Sequence, residues 1–154
     1  MSWLKVFDAD NNLFTGTIPS WIGDLKELSE LWLGTNSFSG SLPSELGRLT
    51  LLVKLYVYSN NHLTGSIPTE LGQLVVLIEL ALSDNSLTGS LPTELELLTS
   101  LTLDSSTCLQ LPALVALTKL ELNNNEYTGP LPSTLLDLTK LELLDLTYNG
   151  FSGI

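Results

Sequence analysis

The sequence contains very little that can form covalent or metal cross-links. Among its 154 residues there is one cysteine, Cys108, and one histidine, His62. A single cysteine cannot form an internal disulfide, and His62 has no cysteine close to it in the sequence with which to build a zinc site. We therefore expect neither a disulfide-stabilised fold nor a bound metal or other cofactor.

Basic residues are also scarce, because six Lys and Arg face seventeen Asp and Glu, for a net charge of −11. This balance argues against a nucleic acid or an anionic membrane as partner. It is compatible with a solvated acidic surface or with a basic ligand. No apolar run is long enough to span a bilayer, since Leu74–Leu82 is interrupted by Glu79. The first residues, Met1–Lys5, lack the pattern of a signal peptide.

Signs of catalysis are equally few. Carboxylates are numerous, but no pair of them stands out by its surroundings in the sequence. Cys108 takes the place of a core leucine, which favours a buried and inert thiol over a nucleophile. We expect a protein that is not an enzyme.

What the chain does contain is a repeat, clearest in Leu77–Thr99, which reads LIELALSDNSLTGSLPTELELLT. Its skeleton is Leu-x-x-Leu-x-Leu, then Asn, then Leu or Phe, then Thr/Ser-Gly-x-Ile/Leu-Pro. The recurring asparagines are Asn12, Asn36, Asn60 or its neighbour Asn61, Asn85, Asn125 and Asn149. Counted through Asn61, their spacings are 24, 25, 24, 40 and 24 residues. A period of this length with this pattern predicts a leucine-rich-repeat solenoid.

The chemistry of one copy explains the pattern. Alternation in Leu80-Ala81-Leu82 places both leucines on one face of a short strand and Ala81 on the other. The side chain of Asn85 can hydrogen-bond backbone groups that are left unpaired where the chain turns inward, so stacked copies predict an asparagine ladder. Gly89 suits a turn with unusual backbone angles. The segment after Pro92 predicts a short 3₁₀ or helical return.

These residues resemble the plant-type leucine-rich repeat, which has the same Leu-Thr-Gly-x-Ile-Pro segment. The resemblance covers nearly the whole chain and implies an α/β fold. The expected architecture is a right-handed solenoid with a parallel sheet on its concave face, second short strands beside it, and short returns. Proteins of this type include receptor-like kinase ectodomains and polygalacturonase-inhibiting proteins. The resemblance implies an extracellular or cell-surface location, although the paired-cysteine caps and N-glycosylation sequons usual there are absent from this sequence.

We interpret residues 1–154 as one array of about seven repeats that belongs to a longer array. The fifth repeat, about 99–119, is predicted to be shortened, because two full periods do not fit between Asn85 and Asn125. In this alignment Ser106 stands where the ladder asparagine is expected, and Leu98–Leu103 is expected to form its strand.

Strand alternation predicts which side chains point outward on the concave sheet. The middle column holds Asp8, Trp32, Tyr56, Ala81, Thr102, Glu121 and Asp145, with flanking columns that contain Glu30, Lys54 and Glu79 on one side and Asp10 and Tyr58 on the other. Trp32, Tyr56 and Tyr58 are expected to cluster on adjacent strands as binding anchors. Asp8, Asp10, Glu30 and Glu79 are expected to surround them and Lys54 to pair with a ligand carboxylate. We therefore predict a recognition module for a protein or peptide ligand, with a basic ligand favoured by the acidic surroundings.

A second hypothesis rests on the hydroxyl residues around each repeat glycine. They are Thr15, Thr17, Ser39, Ser41, Thr64, Ser66, Thr88 and Ser90. A regular hydroxyl array on a flat sheet is typical of binding to a carbohydrate or ice surface, although the repeat consensus alone also accounts for these residues.

Overall fold

The computed structural model of the chain describes residues 3–98, 117–133, 135 and 138–153. Six short strands form the concave sheet: β1 (Val6–Asp8), β3 (Glu30–Trp32), β5 (Lys54–Tyr56), β7 (Glu79–Ala81), β9 (Lys119–Glu121) and β11 (Leu143–Asp145). Six more form on a second face: β2 (Thr15–Thr17), β4 (Ser37–Gly40), β6 (His62–Leu63), β8 (Thr88–Gly89), β10 (Glu126–Gly129) and β12 (Gly150–Phe151). The returns whose bounds lie within the described residues are four 3₁₀ helices: Ser20–Asp24, Ser44–Arg48, Thr69–Gln73 and Thr93–Leu98.

The concave sheet is parallel throughout, in the order β1-β3-β5-β7-β9-β11. Its register places Asp8 beside Trp32, Trp32 beside Tyr56, and Tyr56 beside Ala81, as the alternation predicts. The central residue of each strand points into the solenoid, and Leu31, Leu55 and Leu80 are fully buried there. The predicted right-handed leucine-rich-repeat solenoid, with its concave parallel sheet, second strands and 3₁₀ returns, is confirmed.

One part of the predicted register is wrong. β7 pairs directly with β9, with Ala81 beside Glu121 and Glu79 beside Lys119. No strand separates Ala81 from Glu121 in the middle column, and Thr102, which the alignment put between them, falls outside the described residues. Ser106, Cys108 and the strand expected at Leu98–Leu103 fall wholly or largely outside the described residues, so the repeat count stays a prediction.

The asparagine ladder is present and passes directly from Asn85 to Asn125. The Asn85 Nδ2 donates to the carbonyls of Val57, Leu82 and Ser83 at 3.0, 2.9 and 3.0 Å. Asn125 reaches back in the same way to the Leu82 carbonyl at 2.9 Å. Each rung thus joins two neighbouring repeats and satisfies carbonyls that the strands leave unpaired. Asn12, Asn36 and Asn149 make the corresponding bonds near the ends of the array.

The third rung is Asn60 and not Asn61. Asn60 is fully buried and donates to Leu33, Val57 and Tyr58, whereas Asn61 is exposed. The extra residue of this repeat therefore lies after the ladder, beside β6. The second face is accordingly divided into two three-stranded sheets, β2-β4-β6 and β8-β10-β12.

The returns stack closely because each of the first three carries a glycine at the contact. A Cβ at Gly23, Gly47 or Gly72 would lie 2.3–2.4 Å from a backbone carbonyl oxygen in the next return. No neighbouring atom can yield that much space, so only glycine fits. The fourth return has Glu96 at this position.

Side chains of the first repeat are more exposed to solvent than the matching side chains of interior repeats. Phe14 occupies the same place in its repeat as the buried Phe38, but it is 50% exposed and stacks on the Phe38 ring with centroids 6.0 Å apart. It is half covered because β2 has a neighbouring strand on one side only in its sheet. Among the described residues there is no helix with the length and apolar character needed to cross a membrane.

Candidate functional site

Three aromatic side chains, Trp32, Tyr56 and Tyr58, meet on the concave sheet and form what we call the aromatic platform. The rings of Trp32 and Tyr56 are 4.3 Å apart between centroids and nearly perpendicular, at 73°. Those of Tyr56 and Tyr58 are 6.4 Å apart at 62°. The structure therefore brings the three predicted rings together, and their role as binding anchors stays a prediction. Tyr56 is nevertheless buried, with 8% exposure, so Trp32 and Tyr58 provide most of the accessible aromatic surface.

Each polar tip of the platform donates a hydrogen bond to a carboxylate. Trp32 Nε1 donates to Glu30 at 3.0 Å, and Tyr58 Oη donates to Asp10 at 2.6 Å. Tyr56 Oη donates to Glu79. Three of the four predicted acidic neighbours therefore hold the rings in place, which the pattern of residues in the sequence does not reveal.

Tyr58 extends across two neighbouring repeats. Its ring lies over Gly34, where a Cβ would come within 2.6 Å of the ring Cζ. Its hydroxyl reaches Asp10, whose other carboxylate oxygen accepts the backbone N–H of Gly34 at 2.5 Å. The small residue and the carboxylate together fix the ring against the sheet.

The carboxylates also change the acidity of the tyrosines. The hydrogen bond to Asp10, helped by partial burial, raises the pKa of Tyr58 to about 12. Burial first, and then the bond to Glu79, raises the pKa of Tyr56 well above its ordinary value. Both hydroxyls are therefore protonated donors at neutral pH, and neither is poised to act as a base.

The remaining predicted residues are placed as follows. Lys54 Nζ lies 3.7 Å from Glu79 Oε1 and 5.9 Å from the centroid of the Trp32 ring. Asp8 is exposed, and its Oδ1 accepts the backbone N–H of Asp10 at 3.0 Å. The structure thus brings all eight predicted site residues to one surface around the aromatic platform.

The structure adds three residues that the predicted site lacked. Ala81, Lys119 and Glu121 join the aromatic platform in lining a shallow hollow of about 240 Å³. Lys119 Nζ and Glu121 Oε2 form an ion pair at 3.0 Å. Lys119 and Glu121 were missed because the sequence alignment put Thr102 between Ala81 and Glu121, and only the direct β7–β9 pairing brings them near the rings. Ala81 was placed correctly beside Tyr56 but was not assigned to the site.

A metal site and a hydroxyl surface are two other kinds of site that acidic and hydroxyl side chains can form. In the part of the chain that the structure describes, no group of three His, Cys, Asp or Glu side chains is placed to hold a metal ion. On the second face, hydroxyl residues stack on the glycines of the following repeat, and the Cβ atoms of Ser41 and Ser66 would each be 3.3 Å from a Cβ built on Gly65 and Gly89. The glycines thus leave room for a regular hydroxyl column.

Relatives in sequence share the repeat. Four segments match the family model for the Leucine Rich Repeat: residues 3–25, 27–49, 51–74 and 76–98. The receptor-like protein EIX2 of Solanum lycopersicum is 47% identical over 47 residues, which is 30% of this chain and 5% of that protein. The chain therefore corresponds to a small part of this relative.

Similar solved structures are ectodomains of plant receptor kinases from Arabidopsis thaliana. That of GASSHO1/SCHENGEN3, in complex with CASPARIAN STRIP INTEGRITY FACTOR 2, has a TM-score of 0.85 and 38% identity over 98% of this chain and 16% of that one. The HAESA structure, with the peptide hormone IDA and the co-receptor SERK1, has a TM-score of 0.81 and 33% identity over 97% and 22%. The SOBIR1 ectodomain has a TM-score of 0.78 and 28% identity over 95% and 71%. By its repeats and by its fold, the chain belongs to the leucine-rich-repeat family.

Proposed function

We propose that this chain is a non-catalytic recognition module of a receptor-like or inhibitor-like protein, and that it binds a protein or peptide through the concave sheet. The observation that carries the proposal is the aromatic platform. Trp32, Tyr56 and Tyr58 touch one another, and each is held by its own carboxylate. Rings fixed before binding lose little side-chain freedom on binding, which is the property of an interface anchor.

The acidic groups of the site are engaged in this positioning, which supports a binding role over catalysis. Asp10, Glu30 and Glu79 each accept a hydrogen bond from a ring. HAESA and GASSHO1/SCHENGEN3 are receptors whose structures hold a peptide hormone or an integrity factor, which makes a peptide the favoured class of ligand here.

Charge favours a basic ligand. Five carboxylates, of Asp8, Asp10, Glu30, Glu79 and Glu121, surround the aromatic platform, against the ammonium groups of Lys54 and Lys119. Complementary charge raises the rate of association and discriminates against acidic partners.

The test is a selection of peptides from a displayed random library on the chain, followed by measurement of affinities for variants. Trp32→Ala should weaken the selected peptides by about 2 kcal/mol or more, as loss of an anchor does. Trp21→Ala is the matched control, because Trp21 is half exposed on the first return and away from the concave sheet. Circular dichroism checks that both variants fold. Equal affinities for Trp32→Ala and the unmodified chain would refute the assignment of the concave sheet.

A second candidate function is binding to a carbohydrate or ice surface through the hydroxyl column. The supporting observation is its regularity, since Thr17, Ser41, Ser66 and Ser90 each sit beside a glycine of the next described repeat. Most of the hydroxyl residues are exposed. The column ends at Pro130, which takes the position of Thr17 in its repeat. Replacing Thr64, Ser66, Thr88 and Ser90 with bulkier residues, and then assaying glycan binding and thermal hysteresis, separates this function from the concave one.

A further inference from the structure

The hollow beside the aromatic platform has a chemistry of its own. Its walls are Trp32, Tyr56 and Tyr58, its base includes the small Ala81, and its far side carries Lys119 and Glu121. An apolar stem can lie against the rings and Ala81, while a polar head reaches the charged side. The hollow therefore fits one long side chain with a polar end.

The charges on the far side select the sign of that end. Glu121 stands directly beside Asp145 of the next strand, and neighbouring strands are only about 4.8 Å apart. Asp145 stays ionised, because hydrogen bonds from the Thr147 hydroxyl and backbone N–H lower its pKa. Like charges placed opposite one another repel, and a cation arriving between them relieves the repulsion. Lys119 pairs with Glu121 at 3.0 Å, so one ammonium faces the two carboxylates of Glu121 and Asp145. The negative charge in excess favours a second cation over an anion there.

The walls select the shape of the cation. A guanidinium is planar, so it can stack flat on an aromatic face and bind a carboxylate through two parallel hydrogen bonds. An ammonium is attracted to the ring as a point charge but has neither the flat stacking surface nor the paired donors. The Trp32 ring already has one cation near it, Lys54 Nζ at 5.9 Å. We propose that the hollow binds an arginine side chain of the ligand, stacked on the aromatic platform and paired with Glu121.

This inference rests on the proposed function and makes Glu121 a specificity-determining residue. The probes are three capped pentapeptides, Gly-Gly-Xaa-Gly-Gly, in which Xaa is arginine, lysine or citrulline. Citrulline has nearly the same shape as arginine but no charge. Nuclear magnetic resonance of the Trp32 indole N–H reports binding, and a Trp3→Phe/Trp21→Phe background leaves Trp32 as the sole tryptophan.

The arginine peptide should shift the Trp32 signal, with the citrulline peptide weaker by about tenfold or more and the lysine peptide intermediate. Glu121→Gln should weaken the arginine peptide by about tenfold. Glu126→Gln removes the same charge in β10 on the second face. It should therefore leave the affinity for the arginine peptide unchanged. Equal binding of arginine and citrulline, absence of any shift with arginine, or equal effects of the two Glu→Gln variants would each overturn the inference.

The outcome also separates this inference from the broader one. If library-selected peptides lack arginine but depend on Trp32, the arginine hollow is wrong and recognition by the concave sheet stands. If selected peptides bind equally well to Trp32→Ala, the concave sheet itself is not the recognition surface, and both proposals fail together.

Discussion

Tyr58 lies over Gly34 of the neighbouring repeat, with its ring in the space that any side chain at position 34 would fill. The ring can reach Asp10 only because that space is empty. A backbone position without a side chain thus decides where a ring on the concave sheet points. Four predictions follow from this and related contacts.

Gly34→Ala should displace the Tyr58 ring and break its hydrogen bond with Asp10. We expect the free energy of unfolding to fall by about 1–3 kcal/mol, the usual cost of overpacking. Urea denaturation measures this. The control is the same Gly34→Ala change made in a Tyr58→Ala background. There the new methyl group meets no ring, so Gly34→Ala/Tyr58→Ala should be nearly as stable as Tyr58→Ala. An equal loss in both backgrounds would mean that Gly34 is needed for its backbone alone.

Tyr58→Phe should change how stability depends on pH. The pKa of Tyr58 is raised to about 12 in the folded chain, against about 10 when unfolded. The protonated phenol is therefore favoured by folding, and its contribution is present below pH 10 and is lost as pH rises from about 10 to about 12. The stability difference between the unmodified chain and Tyr58→Phe should shrink over this range in chemical denaturation. A difference that stays constant through it would contradict the assigned hydrogen bond.

Asn60→Ala should cost about 1–3 kcal/mol, because buried carbonyls and the Phe38 N–H lose their partner. Asn61→Ala should change stability by less than about 0.5 kcal/mol, as exposed substitutions usually do. Thermal or chemical denaturation of the two variants compares identical changes at adjacent positions. Equal losses would show that Asn61 shares the ladder position.

Tyr127→Phe should stabilise the chain by about 1 kcal/mol, since it removes a buried hydroxyl that has no hydrogen-bond partner. Tyr127 is fully buried, none of the described residues bonds to its hydroxyl, and Phe38 occupies the matching place in its repeat. Burial raises the pKa of Tyr127 far above its usual value, so no charge is lost at neutral pH. Tyr58→Phe is the matched comparison and should destabilise. Destabilisation by Tyr127→Phe would indicate an unrecognised partner for this hydroxyl.

The repeat fixes much of this molecule before any coordinates are known. A period-2 alternation assigns Leu31 and Leu55 to the core and Trp32 and Tyr56 to the outer surface, and the strand register follows from aligning the copies. Two matters lie beyond such reasoning. Adjacent Asn60 and Asn61 fit the pattern equally well, and only burial distinguishes them. The pairing of β7 with β9 joins residues 40 positions apart. The alignment of repeats had instead placed a strand of the shortened repeat between them.

The hydrogen bonds of the site depend on the directions of individual side chains, which the repeat pattern does not specify. Asp10, Glu30 and Glu79 were predicted to surround the anchors, with no bond assigned between the carboxylates and the rings. They are hydrogen-bonded to the rings: Glu30 bonds Trp32 within β3, whereas Glu79 and Asp10 bond tyrosines of other repeats. Glu121 was assigned to the outer surface but not to the site, since its distance from Tyr56 depends on the β7–β9 pair.

The glycines of the returns bear on the geometry of the concave sheet from the opposite side of the solenoid. The strands fix the pitch on one side at about 4.8 Å per repeat, and the returns fix it on the other. Gly23, Gly47 and Gly72 let backbone meet backbone there, which keeps the second pitch small and the bend between repeats gentle. Adding a methyl group at all three would wedge the returns apart, increase the curvature and crowd Trp32, Tyr56 and Tyr58 together. The shape of the surface offered to a ligand is thus set in part by residues that never touch it.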